Sequence, residues 1–416
     1  MRTNIFSGSL HTMSKHILLA VTGGIAAYKS CELVRLLKKQ GHRVTVAMSA
    51  AAAEFVSPLT FQALSGEPVL SETHEGGGGN GMAHINLTRA ADVMLIAPAS
   101  ANTLAKIAHG IADNLITNLA AARACPLAVA PAMNVEMWLN PANQRNIARL
   151  EADGVVVFTP DEGEQACGEV GVGRMQEAAA LADVLPDVWT PKVLAGRRVL
   201  LTAGATFEAI DPVRGITNIS SGRMGVALAR ACRAAGATVT LVHGQLQVPL
   251  PPGLAATIRA DSAEAMMAAV EGCLHACDVF VAVAAVADYK VQNRSGEKLK
   301  KDASGSPPVI ELAENPDILA TVAARADAPF CVGFAAESHQ VLEHARAKRI
   351  KKGIPLIVAN QVAQAMGTAV NQVTLISEHG ETALPEMDKD ATAAAIVTEL
   401  AALLPPQHHQ DGGVVL

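Results

Sequence analysis

The feature that most constrains this chain is a strand, glycine turn, helix, glycine, strand pattern near its start. An apolar strand at residues 16–21 is followed by a glycine turn at 22–24 and a helical stretch from 25 to 40. Gly41 ends the helix, and a second apolar strand follows at 44–48. This order is typical of a βαβ unit, in which two parallel strands are joined by a crossover helix.

The same pattern begins again in the middle of the chain. An apolar strand at 197–201 leads into a glycine turn, a helix at 222–235 that ends at Gly236, and a strand at 239–242. Further strands are predicted at Val93–Ala97, Leu127–Ala130, Val155–Phe158, Val279–Ala284, Phe330–Gly333 and Leu356–Val358. The repeat predicts an α/β protein of two doubly wound parallel-sheet (Rossmann-like) domains.

The domain boundary is predicted at Trp189-Thr190-Pro191, where apolar periodicity lapses and a proline interrupts the helical pattern. We therefore expect domains at residues 14–190 and 191–405. At about 150 residues per domain, the length of 416 residues predicts two or three domains.

Composition excludes several classes of partner. Hydrophobic residues make up 50% of the chain, aromatic residues 3%, and the net charge is −6, which argues against a nucleic-acid binder or an anionic-membrane binder. The longest strongly apolar stretch, residues 279–287, is too short to cross a membrane. Met1–Ser14 lacks the apolar core of a signal peptide, so we expect a cytoplasmic protein that starts at Met1 or Met13.

Ligands of open parallel sheets bind at the carboxyl ends of the strands, so the loops there carry the information about function. Residues 22–25 form either a plain tight turn or a phosphate-binding turn of the mononucleotide kind. Ser100, Asn102 and Thr103 either cap the next helix or offer polar groups to a ligand. The first domain lacks the full six-residue dinucleotide fingerprint.

Three further residues of the first domain are chemical candidates. His84 follows a run of glycines, although a lone histidine is more often structural than catalytic. Asn134 comes directly after a predicted strand, at the ligand edge of the sheet. Cys167 lies in a glycine-dense loop that we interpret as a mobile lid carrying a thiol.

Four motifs follow one another in this domain: Gly-Gly-Ile-Ala-Ala-Tyr-Lys, Pro-Ala-Ser-Ala-Asn-Thr, Pro-Ala-Met-Asn-x-x-Met-Trp and Ala-Cys-Gly-x-x-Gly-x-Gly-Arg-Met. Over residues 15–185 the set resembles the phosphopantothenoylcysteine decarboxylases of coenzyme A biosynthesis. The resemblance implies a flavodoxin-like domain that binds FMN. It also implies oxidation of the substrate thiol, loss of CO₂ and reduction of the resulting ene-thiolate.

The resemblance assigns roles by matching position. His84 corresponds to the active-site histidine, Asn134 to the residue that binds the substrate carboxylate, and Cys167 to the proton donor. The residues expected to contact FMN are Gly24, Ile25, Ala26, Ser49, Ser100, Ala101, Asn102, Thr103 and Ala132.

In the second domain, a polar, glycine-punctuated loop at 211–225 precedes a helix. Arg214 and Asn218 in this loop either belong to an ordinary helix-capping loop or hold a carboxylate or phosphate. Two lysine groups, at 298–301 and 348–352, either cover solvated surface or neutralise a triphosphate.

The second domain also carries Asp-Pro-Val-Arg-x-Ile-x-Asn-x-Ser-Ser-Gly, Ala-Ala-Val-Ala-Asp-Tyr, Glu-Lys-x-Lys-Lys, Asn-Pro-Asp-Ile and Gly-Phe-Ala-Ala-Glu. Over residues 195–403 these motifs resemble the bacterial, CTP-using phosphopantothenate–cysteine ligases. The resemblance implies activation of 4′-phosphopantothenate by CTP with Mg²⁺, then attack of cysteine on the acyl-cytidylate. Asn218 is expected to hold the acyl-cytidylate with assistance from Arg214. The residues expected to bind CTP are Asp288, Lys298, Asn315, Pro316, Asp317, Ile318, Phe334, Lys348 and Lys352.

We therefore predict a bifunctional, homo-oligomeric enzyme that makes 4′-phosphopantetheine from 4′-phosphopantothenate and cysteine, with FMN and Mg²⁺ as cofactors. Two alternatives are a non-catalytic flavoprotein regulator and an NAD(P)-dependent oxidoreductase. The candidate residues His84, Asn134 and Cys167 argue against the first, and the missing dinucleotide fingerprint argues against the second. No residue is assigned as a metal ligand.

Overall fold

The computed structural model describes residues 14–71, 83–166, 168–300, 309–337, 339–361 and 370–406, with the backbone alone at 83–85, 337 and 361. The chain divides into two compact units, and the division falls between Thr190 and Pro191. Each unit is described separately below.

The first unit alternates strands and helices. Its strands are β1 (His16–Val21), β2 (Arg43–Met48), β3 (Leu70–Ser71), β4 (Val93–Ala99), β5 (Leu127–Pro131), β6 (Val156–Val157), β7 (Asp161–Glu164) and β8 (Val170–Arg174). Its helices are α1 (Ala27–Lys39), α2 (Ala50–Phe55), α3 (Pro58–Ser65), α4 (Ala83–Ala90), α5 (Ala101–Ala108), α6 (Leu115–Ala122), α7 (Val135–Leu139), α8 (Pro141–Ala152) and α9 (Ala178–Val184), followed by a 3₁₀ turn (Leu185–Val188).

Six strands of this unit form one parallel sheet in the order β3-β2-β1-β4-β5-β6. The order reverses between β1 and β4, and the carboxyl ends of these two strands therefore flank the crevice in which such sheets bind ligands. The central strands are almost entirely apolar because helices cover both faces: Leu19 packs into one core and Leu18 into the other. The strands β7 and β8 form a separate antiparallel hairpin.

The helix α1 shows how the local sequence sets an element boundary. Leu33, Val34 and Leu37 lie on its buried face, as the 3.6-residue period requires. The helix ends before Gly41, which has a φ of +89° and can leave the helix in a left-handed conformation that other residues avoid. The predicted stop at this glycine is therefore correct.

The second unit is built on a larger sheet. Its strands are β9 (Arg198–Ala203), β10 (Phe207–Ala209), β11 (Gly215–Thr217), β12 (Thr238–His243), β13 (Ala256–Arg259), β14 (Val279–Ala282), β15 (Tyr289–Val291), β16 (Leu312–Glu314), β17 (Phe330–Glu337), β18 (Leu356–Gln361), β19 (Val370–Asn371), β20 (Val373–Ser377), β21 (Gly380–Ala383) and β22 (Met387–Asp388). Its helices are α10 (Arg223–Ala234), α11 (Ala263–Cys273), α12 (Ile318–Ala323), α13 (Val341–Lys352) and α14 (Lys389–Leu403), with a 3₁₀ turn (Leu274–Ala276) after α11.

The main sheet of this unit has the order β13-β12-β9-β14-β17-β18-β20-β21. The first six strands are parallel, whereas β20 and β21 are antiparallel additions at one edge. The predicted α/β class of two doubly wound parallel sheets is confirmed, but the sequence patterns did not reveal this antiparallel edge. No helix among the described residues is long and apolar enough to cross a membrane.

Candidate functional sites

Backbone hydrogen bonds join the loops after four strands of the first sheet. The Ser49 amide donates to Val21 (3.1 Å), the Thr22 amide to Pro98 (3.3 Å), and the Ala132 amide to Ala99 (3.1 Å). The predicted FMN contacts, which come from these four loops, therefore lie along one carboxyl edge of the sheet.

Thr22 connects the loops that follow β1 and β4, the two strands between which the strand order reverses. Its buried hydroxyl donates to the Pro98 carbonyl (2.7 Å) and accepts from the Ser100 amide (3.0 Å). Sequence reasoning treated Thr22 only as the start of the glycine turn. Its position directly before the two glycines was the available signal.

The glycine turn brings backbone close to backbone. A Cβ on Gly23 would lie 2.5 Å from the Ala51 Cβ, so only glycine fits there, whereas a Cβ on Gly24 would meet nothing within 4 Å. Next to this open space, the Ile25 side chain is 63% exposed. The open space at Gly24 and the exposed side chain of Ile25 therefore lie next to each other in the glycine turn.

Serines begin two of the helices at this edge. Ser49 caps α2 by accepting from the Ala52 amide (3.2 Å), and Ser100 caps α5 by accepting from the Thr103 amide (3.3 Å). The capping interpretation of Ser100 is therefore correct. It leaves a role toward a ligand open, because a hydroxyl can make more than one hydrogen bond.

Asn134 lies at the start of α7, in the loop after β5. Its Oδ1 accepts from the Glu136 amide (2.8 Å), which makes it the N-cap of that helix. Its Nδ2 donates to Gln165 Oε1 (3.4 Å) and to Glu169 Oε2. The structure thus places Asn134 against the turn of the β7–β8 hairpin.

The glycine-dense segment around this turn has a packing function. A Cβ on Gly173 would lie 2.3 Å from the Met133 carbonyl oxygen, and one on Gly171 would lie 2.6 Å from Val135 Cγ2. These glycines allow the hairpin to press against the Asn134 loop, and the interpretation of the segment as a mobile lid stays a prediction. Cys167 itself lies outside the described residues, and His84 lies in α4 without a described side chain.

The second unit contains a cavity of about 520 Å³ at the carboxyl ends of β9, β14 and β17. Its lining includes residues from five segments that are far apart in the sequence. It brings together eight of the predicted CTP residues, namely Asp288, Asn315, Pro316, Asp317, Ile318, Phe334, Lys348 and Lys352. Lys298 is exposed in the loop 292–300 and does not line this cavity.

Lysines from α13 supply positive charge to one wall of the cavity. Lys348 Nζ donates to the Phe334 carbonyl (3.0 Å), and Lys352 Nζ pairs with Asp317 Oδ1 (2.8 Å). Burial opposes ionisation of Asp317, but the hydrogen bonds from Lys352 and from the Ala320 amide hold its pKa below the usual value. Asp317 therefore stays ionised while it caps α12.

Asn315 lines this cavity, and its side-chain oxygen is buried. Its Nδ2 donates to the Ala287 carbonyl (2.9 Å), which fixes the orientation of the amide. Its Oδ1 is buried and has no hydrogen-bond partner among the described residues. A buried acceptor of this kind costs free energy unless a ligand donates to it.

Arg214 and Asn218 lie close to this region but are held differently. The guanidinium of Arg214 binds the buried carboxylate of Asp211 (Nε to Oδ2, 3.0 Å) and the Leu299 carbonyl (2.9 Å). Asn218 Nδ2 donates to the carbonyls of Ala285 and Val286, both at 3.1 Å. Arg214 therefore organises its loop, whereas the Asn218 amide is tied to the strand-end segment that leads into the cavity.

Several cavity residues were missed from the sequence. Thr202, Tyr289 and Glu314 line the cavity although none was assigned to it, and Lys351, which belongs to the predicted lysine group at 348–352, lines it as well. Tyr289, Glu314 and Lys351 are each adjacent in sequence to an assigned residue. Thr202 directly follows the predicted strand at 197–201, at the ligand edge, and its hydroxyl accepts from the Val283 and Ala284 amides (3.2 and 3.3 Å).

The fold and these sites define the class of protein. It is a two-unit α/β protein whose first unit has a sheet edge of the kind that binds mononucleotides, and whose second unit has a lysine-lined cavity. Residues 6–189 match the Flavoprotein family, and residues 194–404 match the family described as DNA/pantothenate metabolism flavoprotein C-terminal domain.

Full-length relatives identify the family. The Coenzyme A biosynthesis bifunctional protein CoaBC of Vibrio cholerae is 45% identical over 387 residues, which cover 92% of this chain and 97% of the relative. The Escherichia coli protein of the same name is 41% identical over 93% of this chain and 96% of its own length. A crystal structure of a C-terminal domain of CoaBC is 36% identical and covers 51% of this chain and 98% of its own, with a TM-score of 0.44.

The chain belongs to the family of bifunctional coenzyme A biosynthesis proteins. The predicted family and the predicted function, a bifunctional enzyme with decarboxylase and ligase activities, are confirmed. The first unit is a flavoprotein domain, as the resemblance implied.

Proposed function

We propose that the second unit joins cysteine to 4′-phosphopantothenate with CTP and Mg²⁺ through an acyl-cytidylate, and that the first unit decarboxylates the product to 4′-phosphopantetheine with FMN. The observation that carries the proposal is the 520 Å³ cavity in which eight separately predicted nucleotide residues meet. The activities of the family give the reaction class, and the cavity supports the assignment of the nucleotide site.

Three lysines and three carboxylates, Asp288, Glu314 and Asp317, line the cavity, and its lysines suit a triphosphate. Lys348, Lys351 and Lys352 line it together, and their ammonium groups stabilise the negative charge that develops on leaving pyrophosphate. The described residues contain no cluster of three or more His, Cys, Asp or Glu side chains that could hold a metal ion. Mg²⁺ is usually held by phosphates and water with few protein ligands, so it would enter with CTP.

Asn315 supports the choice of base. We propose that nucleotide binding uncovers the buried Asn315 Oδ1 and that the exocyclic amino group of cytosine donates to it, whereas uracil places an acceptor oxygen at the same position. Two acceptors facing each other would leave both unsatisfied, so we expect UTP to be used at least about tenfold less efficiently than CTP.

Asn218 supports the ligation step. Its amide is held by two carbonyls at the strand end, and one of them belongs to Val286, which lines the cavity. From there it can orient an acyl-cytidylate while the amine of cysteine attacks the acyl carbon and CMP leaves. Because the Arg214 guanidinium binds Asp211, we assign to Arg214 the support of this loop.

The first unit fits FMN. Gly24 leaves open space beside the exposed Ile25, and Ser49 and Ser100 begin helices whose amino ends favour a phosphate. When bound, FMN supplies reversible oxidation of the substrate thiol. Asn134 holds the substrate carboxylate, while His84 and Cys167 keep the roles that the resemblance implies.

Exposed apolar residues support the proposed homo-oligomer. Ile25, Tyr28, Phe55 and Leu59 lie on α1, α2, α3 or the loop before α1, and each is at least 50% exposed. We propose that an interface between subunits covers these side chains, since contiguous exposed apolar patches commonly mark such interfaces.

One assay tests the proposed function. The full chain is incubated with 4′-phosphopantothenate, cysteine, Mg²⁺ and either CTP, UTP or ATP, and pyrophosphate and CO₂ are measured. We expect pyrophosphate with CTP, CO₂ in equal amount, and a flavin absorption band in the purified protein. A flavin-containing chain that releases neither product would favour the non-catalytic regulator, and a protein without a flavin band would contradict the FMN assignment.

A further inference from the structure

The orientation of the Asn134 amide is determined by its own helix. Its Oδ1 accepts from the Glu136 amide at 2.8 Å, as the N-cap of α7. The Nδ2 group must therefore face away from the helix. Any carboxylate that binds Asn134 does so through the hydrogens of this nitrogen, because a carboxylate can only accept.

Two acceptors from one turn already bind this nitrogen. Gln165 Oε1 lies 3.4 Å from Asn134 Nδ2 and also accepts from the Val135 amide (3.0 Å), and Glu169 Oε2 accepts from Nδ2 as well. The Gln165 amide donates to the Glu169 carbonyl (2.7 Å), which closes the turn and holds both side chains on the same side. One of the two acceptors is the carboxylate of Glu169, which brings a negative charge to Asn134.

The contact with Glu169 is built into the packing of the hairpin. Gly171 and Gly173 allow β8 to approach the Asn134 loop, and the Met133 amide donates to the Gly173 carbonyl (2.9 Å). Glu169 directly precedes β8, so its position follows from this packing.

We propose that the carboxylate of Glu169 occupies the place of the substrate carboxylate on Asn134 and is displaced when the substrate binds. The inference rests on the proposed role of Asn134 in holding that carboxylate. Two carboxylates cannot share the nitrogen without like-charge repulsion, so one must leave. The decarboxylated product has no carboxylate, and Glu169 can return to Asn134 without competition from it. Glu169 therefore lowers the affinity for the carboxylate substrate and not the affinity for the product.

The test compares two ligands that differ only in the carboxylate. The first is the amide of 4′-phosphopantothenate with alanine, which lacks a thiol and cannot react, and the second is the corresponding ethylamide. Binding to the full FMN-loaded chain is followed through the flavin absorption band, so that only ligands at the flavin site are reported. The variants are Glu169→Ala and, as a charge-matched control on the same hairpin, Glu162→Ala. Among the described residues, Glu162 makes no side-chain hydrogen bond or ion pair.

We expect Glu169→Ala to tighten binding of the alanine amide about threefold to tenfold, as loss of one competing charge-assisted hydrogen bond requires. Binding of the ethylamide should not change, and Glu162→Ala should change neither. Weaker binding of the alanine amide to Glu169→Ala, or an equal change for both ligands, would overturn the inference and leave the proposed function intact. A wild-type flavin that responds to neither ligand would overturn both.

Discussion

Asn218 and Arg214 lie four residues apart in one loop, and their contacts suggest different uses. Asn218 donates to two carbonyls at a strand end, whereas Arg214 is paired with the buried Asp211. Single-residue predictions can therefore separate a side chain that orients substrate from one that holds the loop.

Replacement of Asn218 by Asp tests whether Asn218 orients the acyl-cytidylate. An aspartate cannot donate to Ala285 and Val286, so the contacts that hold the side chain at the strand end are lost. We expect the acyl-cytidylate to form and accumulate, with one pyrophosphate released per site and CMP release slowed at least about a hundredfold. Rapid-quench measurement of pyrophosphate and CMP checks this. Release of CMP at the wild-type rate would contradict the assignment.

Replacement of Asp211 by Asn tests whether the Arg214–Asp211 pair stabilises the loop, because the contribution of a charged carboxylate depends on pH. The hydrogen bond from the Arg214 side chain holds the pKa of Asp211 far below its usual value, although burial opposes this, and three backbone amides also donate to the carboxylate. Since the pKa is lower in the folded state, the carboxylate stabilises the fold above the unfolded pKa of about 3.9, and this contribution is lost as pH falls through the folded pKa.

We therefore expect Asp211→Asn to lower the Tm of the second unit at pH 7. The difference in Tm between variant and wild type should become smaller below about pH 4. Calorimetry across this pH range measures it. Asp261→Asn is the control, because Asp261 pairs with Arg259 (3.0 Å) with both side chains largely exposed, and such pairs contribute little. A gap that is the same at every pH would show that the charge of Asp211 is not what stabilises the loop.

At the scale of elements, the β7–β8 hairpin offers a matched pair of glycines. Gly173 and Gly163 have φ values of +152° and +154°, so alanine is similarly strained at both. A Cβ on Gly173 would meet the Met133 carbonyl oxygen at 2.3 Å, whereas one on Gly163 would meet the flexible guanidinium end of Arg174 at 2.7 Å. The difference between the two variants isolates the packing of the hairpin against the Asn134 loop.

We expect Gly163→Ala and Gly173→Ala each to lose about 1 to 3 kcal/mol of unfolding free energy from backbone strain. Only Gly173→Ala should also move Met133 and Asn134, and so lower kcat/KM for decarboxylation at least about tenfold. Urea unfolding and CO₂ release measure the two effects. Equal loss of activity in both variants would show that the close approach at Gly173 does not position Asn134.

Elements with strong periodic patterns were predictable from the sequence, and those defined by distant partners were not. The helix at 222–235 was found within one residue at each end because Gly236 and its apolar face mark it. The predicted strand Val279–Ala284 ends at Ala282, because the amides of Val283 and Ala284 bind the Thr202 hydroxyl instead. The edge strands β20 and β21 pair antiparallel next to β18, and no local pattern shows on which side a strand will pair.

The same distinction holds for the sites. Strand-end motifs located the lysine-lined cavity, because parallel strands bring their carboxyl ends to one edge. The sequence did not show that the Arg214 guanidinium binds Asp211, since that pairing depends on how the loop folds. Nor did it show that Gly171 and Gly173 serve packing, because a close approach and a mobile loop both favour glycine.

At the scale of the whole molecule, the two sites belong to separate compact units with separate hydrophobic cores. The proposed intermediate, phosphopantothenoylcysteine, is a small polar molecule, and we expect it to leave the ligase site as a free product. One unit can therefore lose its function while the other retains its own. This independence is testable with full-length chains.

We predict that Asn134→Ala and Asn218→Ala complement each other when the two purified proteins are mixed. Alone, Asn134→Ala should convert 4′-phosphopantothenate, cysteine and CTP into phosphopantothenoylcysteine and release little CO₂, because its carboxylate contact is lost. Asn218→Ala should release CO₂ only when that intermediate is supplied. The mixture should form 4′-phosphopantetheine from the starting substrates after a lag that shortens as the concentration of Asn218→Ala rises, since the intermediate must reach the second protein by diffusion. Chromatography of the phosphopantothenate derivatives over time measures this. Failure of the mixture, with both single reactions intact, would mean that the intermediate does not leave the chain on which it is made.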